Sequence, residues 1–275
     1  MIKFADLHIH TYFSDSTSSP QEVIADASGA NLSCIAITDH DTLDGVEPTR
    51  IAAKNCGIEV IAGIELSTEM HDKDIHMLGY FIDLHGGEFK EMISQMRIAR
   101  IERIKEMIQK LKNLGLGNID FEESFGSLSA SSLGRPHLAA VLLQRGDVSS
   151  LSEAFEKYLG EGCPAYVKKF KISPYDAIAL IRRAGGVAVM AHPMITAKDE
   201  LIPGFVEAGL EGIEAYYPYY SQASIRFYEG IAKKHHLVTT GGSDAHGKAK
   251  TNTFIGKVRI PYDHVEQLKE RISKR

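Results

Sequence analysis

Cysteine is scarce in this chain, positive charge is in deficit, and no apolar run approaches membrane-spanning length. There are three cysteines among 275 residues (Cys34, Cys56 and Cys163), and no C-x-x-C pair. An odd, unpaired count argues against a disulfide framework and for reduced thiols in a cytoplasmic protein. The formal net charge is −5. A protein built around a broad basic nucleic-acid surface would be more positive, so any phosphate binding must be local. The start, "MIKFADLHIH", has no basic region followed by a long apolar stretch, and no signal peptide is expected. Internal repeats and low-complexity tracts are also missing.

What is present is a globular composition, with 44% apolar and 24% charged residues, and twelve histidines. Short apolar runs alternate with amphipathic segments. Strands are expected at 2–7, 33–38, 58–66, 74–81, 186–191, 211–217 and 237–243. Helices are expected at 20–30, 44–56, 173–184, near 198–208, near 221–235, and from about 263. Repeated strand–helix alternation predicts a mostly parallel sheet, and this many units predicts a closed barrel. The alternation breaks between Gly86 and Tyr166. There, residues 88–115 predict one long helix with Met92, Met96, Ile101, Ile104, Ile108 and Leu111 on one stripe. Further helices are expected at 136–145 and 151–158. The expected division is a barrel over 1–85 and 167–275, and a helical insertion over 86–166 that caps its mouth.

The histidines and carboxylates are not scattered. Asp6, His8 and His10 end the first strand, and Asp15 follows. Asp39, His40 and Asp41 follow the second strand, and Glu65 ends the third. His76 lies in the fourth, His192 follows "VAVMA", and Asp244 and His246 follow "VTTGGS". In a parallel barrel the strand C-terminal ends share one face, where the active site forms. His8 and His10, two apart on a strand, point to the same side. Imidazole with carboxylate suits Zn, Mn or Fe, and one carboxylate can bridge two ions. The ligands exceed what one tetrahedral ion uses, so two or three divalent metals are expected, a type of site that activates water and clamps a phosphoryl group. The plain alternative is that Asp15, Asp39 and Asp41 are helix caps and His192 a core residue.

The motifs "DLHIHTYFSD", "AITDHDT", "GIELST", "IHMLGY", "AHP" and "GSDAHG" together resemble, in order, those of the PHP phosphoesterases, the polymerase and histidinol phosphatase family. The likeness is greatest to the stand-alone branch that includes 3′,5′-bisphosphonucleotide phosphatases and RNase AM. It runs from residue 6 to 247. The resemblance implies an α/β fold, a distorted (β/α)7 TIM-like barrel with a helical insertion after the fourth strand. It implies that His8, His10, Glu65 and Asp244 bind one metal. Glu65 would bridge to a second ion completed by His76 and His192, and Asp15, His40 and His246 would hold a third. Asp6 and Asp39 would orient histidine ligands through their other ring nitrogen, with ligation of a metal as the alternative for Asp39. Ser16 departs from the family pattern, which has Gly there.

"GRPHLA" resembles the family segment placed over the metals, which makes Arg135 and His137 phosphate-binding candidates, with a plain N-terminal helix turn as the alternative. Lys168, in "YVKKF", is a further candidate, with a solvated charge run as its alternative. The tyrosine-dense "EAYYPYY" either stacks a nucleobase or packs in the core. Lys248 and Lys250 are expected at the surface. His71, His85, His235, His236 and His264 carry no assigned role. The implied function is phosphomonoester hydrolysis on a nucleotide or the 5′ end of a short oligonucleotide by a metal-activated hydroxide. Arg135 would stabilise developing charge, and His192, His246 or a metal-bound water would serve as leaving-group acid. The alternatives are a histidinol-phosphate-type phosphatase and a non-catalytic metal-binding module. A small phosphorylated substrate is the expected partner, with no membrane and no stable protein partner.

Overall fold

The structure, a computed structural model, describes residues 2–84, 86–126, 133–250 and 252–274. His85 lies outside the described residues. The chain divides into two compact units, residues 1–91 with 171–275, and residues 92–170.

The first unit is built on one sheet. Its strands are β1 (Phe4–Ile9), β2 (Cys34–Ile37), β3 (Glu59–Met70), β4 (Lys73–Tyr80), β5 (Val187–Met190), β6 (Gly212–Tyr216), β7 (Val238–Gly241) and the short β8 (Ile260–Pro261). They lie in the order β7-β6-β5-β4-β3-β2-β1-β8. The segment after β7 returns to β1: the His10 N–H donates to the Ala245 carbonyl at 3.1 Å, and Ile9 bridges Ala245 in parallel. The result is a nearly closed, distorted barrel with helices around it.

Gly242 allows that closure. A Cβ there would stand 2.3 Å from the His8 backbone nitrogen and 2.4 Å from its Cβ. Only a residue without a side chain lets the chain after β7 pass this close to β1.

The sheet is not uniformly parallel. β4 runs antiparallel to both β3 and β5. β3 is longer than the sequence pattern suggests, and Met70 pairs directly with Lys73. The two residues between them, His71 and Asp72, both have positive φ (50° and 57°), the geometry of a tight hairpin turn. A parallel crossover needs a dozen or more residues, and two cannot supply it.

Along β1, Ala5, Leu7 and Ile9 enter apolar clusters, while Asp6, His8 and His10 alternate with them and are buried too. Serine side chains cap three helices of this unit, Ser19, Ser173 and Ser221 each accepting a backbone N–H of the first turn. In α1 (Pro20–Gly29) the N-cap Ser19 and Glu22 form a reciprocal capping box with Pro at the first position. The remaining helices are α2 (Val46–Ala53), α3 (Gly87–Asn113), α4 (Phe121–Phe125), α5 (Arg135–Gln144), α6 (Leu151–Ala154), α7 (Pro174–Arg183), α8 (Pro193–Thr196), α9 (Ile202–Glu207), α10 (Gln222–Lys234) and α11 (Asp263–Ser273).

The second unit is helical, and no described residue from 86 to 166 lies in a strand. Ile104, Met107, Ile108 and Leu111 of α3 form an i, i+3, i+4, i+7 stripe that packs with Phe125, Leu138, Leu142 and Leu159. The division between units falls inside α3, because its first turn belongs to the barrel unit: Glu88 pairs with Arg183 at 2.9 Å, and Phe89 is buried. Among the described residues no helix is long and apolar enough to cross a membrane.

Candidate metal centre

Glu65 is the hub. It is 1% exposed, and five imidazoles face its two oxygens. His8 Nε2 and His10 Nε2 each stand 3.3 Å from Oε2, and His40 Nδ1 stands 3.1 Å from it. His76 Nδ1 and His192 Nε2 lie 2.8 and 3.0 Å from Oε1. The elements explain the convergence. His8 and His10 share one face of β1. A parallel bridge from His40 to Glu65 carries the β2–β3 pairing three residues beyond β2. His76 comes from the middle of β4, and His192 follows β5.

Three overlapping groups of donor atoms result: His8, His10, Glu65 and Asp244; His40, Glu65 and His76; and His10, Asp15, His40 and His246. In the first, His8 Nε2 is 3.1 Å from His10 Nε2 and 3.6 Å from Asp244 Oδ1, and His10 Nε2 is 3.2 Å from Asp244 Oδ1. The edge of a tetrahedron around an ion with bonds of 2.0–2.1 Å is about 3.3 Å. The observed spacings match that edge. In the third group His246 Nε2 is 3.1 Å from Asp15 Oδ1, with His10 Nδ1 and His40 Nε2 each 3.8 Å from Asp15.

Orphaned atoms point the same way. His10 Nδ1, His40 Nδ1, His192 Nδ1 and His246 Nε2 are buried without a hydrogen-bond partner. Two of them, on His40 and His246, stand 3.1 Å from a carboxylate oxygen. His10, His40 and His246 all belong to the donor groups above, where lone pairs without another partner are what metal ligation requires. The residues present therefore fit a set of divalent ions.

Burial and neighbouring charge compete across this cluster. Burial opposes charge on His8, but Glu214, Glu65 and Asp244 outweigh it and hold its pKa well above the ordinary value. His10 rises to about 9 against burial, through Asp244 and Glu65. His40 is pushed down to about 3, first by burial. Burial also opposes the charge of Glu65, yet His40, His76 and His8 keep it well below the usual carboxylate range.

Two expected roles change. Asp6 does not touch a histidine ring. Its Oδ1 accepts from the Ser243 N–H (2.9 Å) and the His8 N–H (3.4 Å), and its Oδ2 from the Gly256 N–H (2.9 Å). Asp39 likewise accepts from the Thr11 N–H and hydroxyl and from the Ser14 hydroxyl, at 2.7, 2.6 and 2.6 Å. Both satisfy donors at strand ends and so pin the loops that carry ligands. Gly45 makes room for Asp39, since a Cβ there would lie 2.1 Å from Oδ2.

The ring-orienting role falls to Glu214, which sequence reasoning missed. Fully buried in β6, it places Oε1 3.0 Å from His8 Nδ1 and accepts the His192 N–H on Oε2 at 2.8 Å. One carboxylate thus fixes one imidazole and the backbone of another. Tyr217 is a second such residue. Its hydroxyl donates to Asp244 Oδ2 at 2.7 Å, which turns Oδ1 toward His8 and His10. Tyr220 accepts the Met194 N–H at 2.9 Å and Tyr216 donates to Glu229 at 2.6 Å, so these three tyrosines are tied within the protein. Lys250, expected at the surface, reaches Asp244 Oδ2 at 3.1 Å.

Arg135, His137 and Lys168 belong to the helical unit. Arg135 donates to the Leu159 carbonyl at 3.3 Å, and its guanidinium lies over Phe155 and Tyr166. Burial, with Arg135 nearby, brings Arg103 down to about 10. His137 Nδ1 is buried without a hydrogen-bond partner. Lys168 is exposed.

A family model described as the PHP domain matches residues 6–161. A 5′-3′ exoribonuclease of Haemophilus influenzae is 34% identical over 251 residues, covering 90% of this chain and 91% of that protein. A 3′,5′-nucleoside bisphosphate phosphatase of Chromobacterium violaceum is 31% identical, covering 91% and 90%. A solved structure from Bifidobacterium adolescentis, provisionally described as a metal-dependent phosphoesterase, superposes with a TM-score of 0.82 at 29% identity, covering 97% and 96%. Family model, full-length relatives and fold agree: the chain belongs to the PHP-domain family of metal-dependent phosphoesterases.

Proposed function

We propose that the protein is a hydrolase that removes a phosphomonoester from a nucleotide, or acts at the 5′ end of short oligonucleotides. The observation that carries this reading is the Glu65 hub, where five imidazoles converge on one buried carboxylate at 2.8–3.3 Å. Two or three ions of Mn, Zn or Fe suit the mixed nitrogen and oxygen donors. When bound, such ions supply an activated water and positive charge over the phosphoryl oxygens.

The chain's own residues do the rest. His8, His10, Glu65 and Asp244 form one ligand set. Glu65 joins it to His76 and His192, and Asp15, His40 and His246 form the third. Glu214 and Tyr217 keep His8 and Asp244 in register with that set. Asp6 and Asp39 lock the loops around it. His192 and His246 are the residues of this set assigned to proton delivery to the leaving oxygen. Arg135, His137 and Lys168 are assigned to the substrate phosphate, a role that planar, bidentate guanidinium chemistry favours for Arg135. The two relatives named above, which act on oligonucleotide ends and on nucleoside bisphosphates, favour this substrate class over sugar or histidinol phosphates. Free cysteines at positions 34, 56 and 163 favour a cytoplasmic setting.

A substrate panel with Mn²⁺ tests the reading. It sets adenosine 3′,5′-bisphosphate and 5′-phosphorylated short RNA against histidinol phosphate, a sugar phosphate and p-nitrophenyl phosphate. Turnover led by the first two is expected. Preference for histidinol phosphate would replace the substrate class, and no turnover by metal-loaded protein would leave a binding module.

A further inference from the structure

A cleft of about 550 Å³ opens beside His76 and His192 in the barrel unit, with Lys73, Asp74, Ile195 and Lys198 in its wall. We propose that this cleft is a second anion subsite, in which Lys73 and Lys198 hold a phosphate of the substrate other than the one being hydrolysed. The proposal rests on the phosphoesterase reading above and adds to it the place where a second phosphate of the substrate is held.

The position is the first argument. His76 and His192 lie 2.8 and 3.0 Å from Glu65 Oε1, so the cleft shares a wall with the metal centre. A substrate seated at the centre has its remaining mass to place, and the volume is in the range that holds a nucleotide-sized group. Charge is the second argument. The cleft has two lysines and one acid, and Asp74 is ion-paired with Lys171, which also stands 3.7 Å from Glu69. Lys198 reaches Glu200 at 3.2 Å, but both side chains are solvent-accessible. Such a pair is weak in water and yields to a phosphate. In a chain of net charge −5, two lysines beside a carboxylate-rich centre form a local anion site.

The third argument is that the walls are built. Lys73 follows the tight turn at His71 and Asp72. The opposite wall runs from His192 to Lys198. His192 and Ala197 both have left-handed backbone (φ 27° and 51°). Strain of this kind persists only where the surroundings impose it. Here Glu214 accepts the His192 N–H and Tyr220 accepts the Met194 N–H. Ile195, 59% exposed, adds an apolar surface suited to a sugar or base face. Lysines, as compact point charges, suit either a terminal phosphate or the first internucleotide phosphate.

The test compares adenosine 3′,5′-bisphosphate and a 5′-phosphorylated dinucleotide with p-nitrophenyl phosphate, which has no second phosphate. For Lys73→Gln or Lys198→Gln, the kcat/KM ratio of a doubly phosphorylated substrate over p-nitrophenyl phosphate is expected to fall about tenfold, the loss of one charge-assisted contact. The double variant is expected to fall further. A fall for the bisphosphate alone assigns the subsite to a terminal phosphate, and a fall for the dinucleotide assigns it to the internucleotide link. Ratios within twofold of wild type for both substrates overturn the proposal. If the wild-type protein turns over none of the three, the phosphoesterase reading fails and calorimetry still decides the subsite. Adenosine 3′,5′-bisphosphate must then bind more tightly than adenosine 5′-monophosphate, and the lysine changes must remove that advantage. Equal affinities overturn the subsite.

Discussion

In the barrel unit, Asp6, His8, His10, Asp39, Glu65, His192, Glu214, Asp244 and His246 are all buried. In the helical unit, among the described residues, Arg103 is the one buried charged or polar side chain, and the remainder of the core is apolar. The two units solve different problems. The helical unit gains stability from ordinary packing of a leucine- and isoleucine-rich stripe. The barrel unit buries charge at a cost in desolvation that only matched partners offset. Packing in the first tolerates change in proportion to volume. Charge in the second does not, because removing one member leaves others unpaired.

The sharpest break of that contrast is Glu65→Gln, which keeps shape and removes the shared charge. Since loss of a mere orienting partner costs about 10–100-fold, loss of the hub is expected to lower kcat by more than about a hundredfold with the circular dichroism spectrum retained. Near-wild-type turnover would contradict the metal assignment, as it would for His10→Ala. In the helical unit Leu138→Ala, at a fully buried site, is expected to cost about 2–5 kcal/mol in denaturant unfolding. It should leave the metal affinity of the barrel unchanged. A change in metal affinity there would mean that the two kinds of core are not independent.

Chelation addresses the barrel's charge directly. If ions bind the native state at about 100 times their Kd, their removal costs about 2.7 kcal/mol, or roughly 5–10 °C in Tm for a chain of this size. Calorimetry with and without chelator measures it, and an unchanged Tm would show that the His–carboxylate cluster needs no ion. Glu214→Gln is expected to weaken metal binding about 10–100-fold, read as a metal Kd by chelator competition. An unchanged Kd would reduce Glu214 to a packing residue.

The smallest effect is in protons. Without metal, His10 titrates near 9 and so carries a proton at pH 7, and Glu214, Glu65 and Asp244 hold His8 above its ordinary value, which favours its proton too. A metal must displace them. Affinity is therefore expected to rise with pH from 7 toward 9, and uptake at pH 7 to release protons. Calorimetry in buffers of different ionisation enthalpy reads the proton count, and a count of zero would contradict the raised values.

The legible part of this site was local. H-x-H on a strand puts two rings on one face, and each of the other candidate ligands sits in or just after a strand. Helix starts were legible for the same reason, since Ser19 with Glu22, and Ser173 with Pro174, act within one turn. The β3–β4 hairpin was half legible. Seven residues separate the expected strands at 66 and 74, too few for a crossover, yet the pattern alone suggested a parallel sheet. Glu214 was not legible at all. A single glutamate in "EGIEAYY" carries no local signal, and its meaning comes from His8, 206 residues away in sequence. Asp6 and Asp39 were found as important positions, but their partners are backbone donors that residue types cannot reveal.

The sequence by itself determined the alternation of elements, the family, and which side chains are chemically fit to hold metal, because propensity, periodicity and donor chemistry are properties of short stretches. The tertiary structure alone decided how those side chains share Glu65, which carboxylate aligns which ring, and where Lys73 and Lys198 face a common cleft. These depend on barrel closure, on the approach of Gly242 to His8 and on the turn at His71–Asp72. The physical reason is range: a metal-sized site requires atoms from six segments to meet within a few ångströms, and only the packed chain supplies those distances.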